Sequence, residues 1–258
     1  MYRPDIKRKK SGTPVLSRRE IDIIGEELVR DFNPEALKTP QEIDIDLFVQ
    51  DYLRMEQDFQ YLSHCGVYLG MTIFNDTDKV PVYDPIQQKA DYISAKAHTV
   101  IIDKTLLTEN QEHRYRFTMG HEASHEFLHK EYFSCDTSQM TLFDIFPESM
   151  IQCRVDTKKY NSKQSVTWTD RDWMEWQANA LSSAILMPKS VVYEVVRKAD
   201  TREIPDNLIA YYKAVRVADV FNVSNEAAMY RLKELEIVDS DLQFDSQSID
   251  FMTSLDLQ

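Results

Sequence analysis

His121-Glu122-Ala123-Ser124-His125 is the stretch on which the reading of this chain turns. On an α-helix, residues four apart share a face, one turn above the other. Two imidazoles so placed can offer nitrogens to one tetrahedral Zn2+. Glu122 is then the adjacent carboxylate that can take a proton from a water at the metal. The flanking Tyr115, Phe117, Met119, Phe127 and Leu128 are apolar, and no proline interrupts residues 112–130. The helix therefore reads as partly buried, and a buried helix seldom keeps several His and Glu residues without a partner. A solvated pair of histidines would need no metal, but it would not account for these flanks.

Two histidines need a third protein ligand and an open position. The continuation HExxHxxGxxH is closed here, because Leu128 occupies the glycine position and Glu131 the last histidine. His129 shares the stripe of His121 and His125, but three consecutive turns do not easily converge on one tetrahedral ion, so it reads as a supporting residue or groove wall. A carboxylate from a later helix is the other route. The best stretch is Asp172-Trp173-Met174-Glu175-Trp176-Gln177-Ala178-Asn179-Ala180-Leu181, whose helical continuation ends at Pro188. Glu175 stands among apolar neighbours, where an unpaired carboxylate is costly. It is the favoured third ligand, with Asp172 as the fallback.

Arg116-Phe117-Thr118-x-x-His121-Glu122-x-x-His125-x-x-x-His129 resembles the signature of the ImmA/IrrE family of bacterial metallo-endopeptidases. So does Glu175-x-Gln177-Ala178-Asn179, followed by Leu186-Met187-Pro188. The resemblance extends more weakly from about Glu20 to Val238. It implies zinc ligands at His121, His125 and Glu175, with Glu122 as catalytic base. His129, Asp172 and Asn179 would support the ligands or line the groove. Two departures alter packing rather than ligands: Ser124 where the family usually has glycine, and Leu181-Ser182 where it favours Phe-Ala.

Composition fits an intracellular enzyme. The chain has 258 residues, 43% of them hydrophobic, enough to bury a sizeable core. Cys65, Cys135 and Cys153 are too few for a disulfide framework, which suits a reducing cytoplasm. Without a CxxC pair, buried thiols are a better reading of Cys135 and Cys153 than a second zinc site. No apolar run reaches membrane-spanning length, and no apolar segment follows the basic N-terminus as a secretory signal requires. A net charge of −13 argues against a broad nucleic-acid surface.

The expected fold class is α+β, a zincin-like small sheet packed on the metal helix, followed by a helical subdomain. Residues 1–19 read as a basic flexible arm, 20–189 as the metallopeptidase domain, 190–238 as the helical subdomain and 239–258 as an acidic flexible tail. Ser17-Arg18-Arg19-Glu20 fits a capping box opening a helix that ends near Asn33-Pro34. A second helix is expected over Ile45 to Met55, and strands at 58–62, 66–74, 80–83 and 98–103. Residues 134–167 read as an irregular insertion, either a lid or inert. Between Ala218 and Leu235 the apolar spacing, Asn222 and the N-cap Ser224 have a helix-turn-helix cadence. No basic stripe accompanies it, so the reading is against direct DNA contact.

The expected activity is zinc-dependent endopeptidase. The family resemblance implies a cytoplasmic regulatory substrate, typically a helix-turn-helix repressor. The rival reading is a non-catalytic zinc-containing regulator that binds DNA or a partner, as in a toxin–antitoxin or mobile-element module.

Overall fold

The computed structural model describes residues 1–133, 150–154 and 168–254. Its first helix, α1 (Arg18–Phe32), begins where the sequence places it. Ser17 Oγ accepts from the Glu20 amide while Glu20 caps the Ser17 amide in return. Ile21, Ile24, Leu28 and Val29 form its buried stripe. Gly25 allows an unusually close helix crossing, because a Cβ there would lie 2.7 Å from the Ala184 Cβ of α4 (Asp170–Leu186).

The helix expected over Ile45 to Met55 is much shorter. Asp44 caps α2 (Ile45–Leu47), which widens into a π turn at Phe48–Tyr52. Arg54, with a positive φ of 59°, stops it.

Six strands follow: β1 (Glu56–Gln60), β2 (Tyr68–Ile73), β3 (Thr77–Asp84), β4 (Lys89–Ala95), β5 (Thr99–Asp103) and β6 (Met150–Arg154). The main sheet has the order β1-β5-β2-β6, and β3 and β4 form a separate antiparallel ribbon. β1 and β5 run parallel, whereas β2 is antiparallel to both β5 and β6. β5 is buried throughout, with the apolar Val100, Ile101 and Ile102 at its centre, as suits a central strand. β4 is mostly exposed and lacks such a signal. β6 lies inside the segment expected to be irregular; the rest of that segment, with Cys135, lies outside the described residues.

The helix α3 (Glu112–Phe133), which carries the His121 and His125 pair, packs against β2 and β5 and against α4. This explains why Arg116, His121, Glu122, Ser124, His125, Glu126 and His129 are all buried on it. Beyond it lie α5 (Lys189–Lys198), α6 (Ile209–Phe221), α7 (Asn225–Glu234) and α8 (Ser246–Ser254). Asn222 takes the left-handed conformation between α6 and α7, and Ser224 caps α7, giving the turn expected from the sequence. The architecture is mixed α+β.

One apolar core takes in Ile21, Met119, Leu181, Val192, Val217, Phe221 and Leu232, residues from both sides of the boundary placed at 189/190. Arg231 of α7 is wholly buried, paired with Asp22 of α1 at 2.7 Å and donating to the Met187 carbonyl at 3.1 Å. The termini also make contacts. Arg8, in the segment read as a basic arm, donates to the Leu128 carbonyl at 2.9 Å and pairs with Glu131 at 2.6 Å. In the segment read as an acidic tail, Ile249 and Met252 of α8 are buried. Among the described residues no helix is long and apolar enough to cross a membrane.

Candidate metal centre

α3 places His121 and His125 on one face, and α4 crosses so that Glu175 meets them. The two Nε2 atoms are 3.0 Å apart, and the Glu175 carboxylate oxygens lie 3.4 Å from His121 Nε2 and 3.6 Å from His125 Nε2. Ligands about 2.0–2.1 Å from a tetrahedral zinc stand about 3.3 Å from one another. The three separations bracket that value, so the donor set fits the ion without a change of fold. All three residues are at least four-fifths covered, with His125 completely buried.

Each histidine is held from behind. His121 Nδ1 lies 3.0 Å from Asn179 Oδ1, and His125 Nδ1 lies 2.9 Å from His129 Nδ1. His129 Nε2 reaches Gln177 Oε1 at 3.0 Å. Such contacts orient ligand rings and select their tautomers. Burial pushes His125 down to about 4 and His129 well below the usual imidazole range. Burial alone would raise Glu175, but His125 and His121 beside it outweigh that and hold its carboxyl well below its ordinary value. The site thus presents His125 as a neutral imidazole and Glu175 as a carboxylate, the forms that bind a cation.

Glu122 is wholly buried at the β2 side of α3. Thr72 donates to its Oε2 at 2.6 Å, whereas Oε1 is buried with no hydrogen-bond partner among the described residues. Burial pushes its carboxyl up to about 7, with the charge of Glu175 adding to the shift and His121 and Thr72 opposing it. A carboxylate with one oxygen anchored and the other open is arranged to exchange a proton.

The structure therefore brings together His121, His125 and Glu175, sets Glu122 beside them, and puts His129 and Asn179 behind the two imidazoles. Asp172 is engaged elsewhere. Its carboxylate accepts from the Thr169 amide and hydroxyl at 2.9 and 2.6 Å, closing the capping box of α4. Thr72 and Gly70 were not among the expected site residues. They lie two apart on β2 and face α3, and a small buried residue alternating with a buried threonine was the only hint in the sequence.

The model of the peptidase M78 family, the IrrE N-terminal-like domain, matches residues 153–233. The match supports membership of the ImmA/IrrE family. The matched segment carries Glu175, Gln177 and Asn179 and runs through α4 to α7, whereas α3 with its two histidines precedes it. The match supports a metallopeptidase, and hence a protein substrate. No curated protein matches the chain.

Proposed function

We propose that this protein is a zinc-dependent endopeptidase of zincin-like arrangement, with His121, His125 and Glu175 as ligands and Glu122 as general base and acid. The observation that carries this reading is the convergence of three donor atoms, all within 4.8 Å of one another, beside a carboxylate with one free oxygen. Zinc, when bound, supplies a Lewis acid for the scissile carbonyl and lowers the pKa of water. The protein's own groups do the rest. Glu122 Oε1 takes the proton of the attacking water and returns it to the leaving amine nitrogen, while Thr72 keeps Oε2 fixed. Among the described residues β1 and β6 are the edges of the main sheet, and an edge strand can hold an extended peptide by backbone pairing. The substrate we favour is a cytoplasmic regulatory protein of the helix-turn-helix repressor class.

The rival reading, a regulator contacting DNA through α6 and α7, loses support from the fate of the basic residues of α7. Arg231 is buried against Asp22, and Lys233 bonds to the Leu242 carbonyl. Both are spent within the chain. The deciding experiment compares wild type with Glu122→Gln for zinc content and for cleavage of co-expressed repressors encoded beside it. The variant should bind zinc as wild type does and cleave about 10²–10⁴-fold more slowly. Normal cleavage by the variant would rule out Glu122 as base, and failure of the wild type to take up zinc would remove the metal.

A further inference from the structure

Gln177 of α4 is buried, and both ends of its amide are held. Nε2 donates to the carbonyl oxygen of Pro14 at 2.8 Å, and Oε1 lies 3.0 Å from His129 Nε2. A peptide carbonyl only accepts, so the amide nitrogen must face Pro14 and the amide oxygen His129. That oxygen also only accepts, which puts the proton of His129 on Nε2. In the neutral ring that deep burial favours, Nδ1 then holds a lone pair. This lone pair faces His125 Nδ1 at 2.9 Å, so His125 must carry its proton on Nδ1. What remains is an open lone pair on His125 Nε2, the nitrogen turned towards His121 and Glu175.

We infer that the N-terminal strap, residues 7–15, is part of the metal centre: acting through Gln177 and His129, the Pro14 carbonyl fixes the ring proton of His125 and so holds Nε2 ready as a ligand. The inference rests on the zinc reading above. The strap is built for such a task. It folds on itself through the Arg8 and Pro14 bridge, with the Val15 amide donating to the Lys7 carbonyl at 2.8 Å. It is tied to both helices that carry ligands. Arg8 binds the end of α3 at the Leu128 carbonyl and Glu131, and Lys9 pairs with Asp170 in the first turn of α4 at 2.7 Å. Gly12, with a φ of +88°, passes so close to α3 that a Cβ would lie 3.2 Å from the Tyr132 Cα. Gln177 and His129 are thus positioning residues, and the strap sets the register of Pro14 against them.

The test uses the full chain, with zinc alone as ligand. Long-range ¹H–¹⁵N imidazole spectra of the metal-free protein should show His129 as the Nε2–H tautomer and His125 as the Nδ1–H tautomer. Chelator competition should show zinc affinity reduced about 10–100-fold in Gln177→Met, the usual effect of losing such a partner, with helical content retained. Arg8→Ala, remote from the ligands, should weaken zinc in the same direction by a smaller factor. A merely structural Gln177 would change the melting temperature and leave both readouts alone. His129 protonated on Nδ1, or wild-type affinity in Gln177→Met, would overturn the inference. Wild-type affinity in Arg8→Ala would overturn the part given to the strap. If wild type took up no zinc while the tautomers stood as drawn, the zinc reading would fail and the proton relay would survive.

Discussion

Gly70 of β2 lies against the carboxylate of Glu122: a Cβ at Gly70 would stand 2.7 Å from Oε1 and 2.9 Å from Cγ. The absent side chain is what makes room for the proposed base. Gly70→Ala is expected to push Glu122 from its place, lowering kcat by about 10²-fold, as small misplacements of catalytic groups do. Zinc affinity should change little, because the atoms nearest to such a Cβ belong to Glu122 and Thr118 and not to a ligand residue. Parallel measurement of peptide cleavage and chelator competition checks this, and an equal loss of both would refute it.

Glu122 also gives the metal-free protein a distinctive pH response. Its carboxyl rises from the ordinary 4.5 to about 7 on folding. The folded state therefore holds a proton that the unfolded chain releases, and stability present below about pH 4.5 is lost as pH rises through 7. His125 acts in the opposite sense, since its drop from 6.5 to about 4 removes stability as pH falls through that window. The His125 contribution is common to wild type and Glu122→Gln and cancels in their difference. Glu122→Gln should therefore gain about 1–3 kcal/mol over wild type between about pH 5 and pH 8. Urea unfolding of both metal-free proteins at the two pH values tests it, and parallel pH curves would contradict it.

Because the ligands come from both α3 and α4, zinc should stabilise the fold by mass action. At a hundred times the dissociation constant, free zinc adds about 2.7 kcal/mol. Thermal melts with increasing zinc should climb for wild type and stay flat for Glu175→Ala, and a zinc-independent wild-type melt would count against the site.

Arg231 and Asp22 form a buried ion pair at 2.7 Å, with neither side chain more than 7% exposed. Asp22→Leu alone leaves the guanidinium without its main partner and should cost about 3–5 kcal/mol. Asp22→Leu with Arg231→Met should recover most of that loss. A double variant as unstable as the single one would show that the pair itself stabilises the join between α1 and α7.

Much of this was legible in the sequence where the signal is local. The Ser17 and Glu20 capping box, the helical spacing of His121 and His125, and the Asn222 turn before Ser224 each arise within a few residues. Glu175 was legible because its burial demanded a partner. Asp172 illustrates the limit. A carboxylate there could serve either a metal or a helix terminus, and the nearby Thr169 decided for the terminus. What stayed hidden depends on distant pairing. The alternation of Gly70 and Thr72 marks one face of a strand, but it does not tell that β2 passes under Glu122. Pro14 and Gln177 are neighbours only after α4 has folded against the strap. β4 went unseen for another reason, being mostly exposed with only Ile93 and Ala95 partly buried.

The sheet order sets a timetable for the enzyme. Thr72, which holds Glu122, is flanked by Val100 of β5 on one side and Ile151 of β6 on the other. β5 precedes α3 in the chain and β6 follows it, so the Thr72 strand acquires its last neighbour only when a long loop carrying the whole of α3 has closed. Helices form early and non-local strand pairs late. On refolding, helical circular dichroism should recover first and cleavage only afterwards, so that an incompletely folded chain has its histidine helix before it can cut.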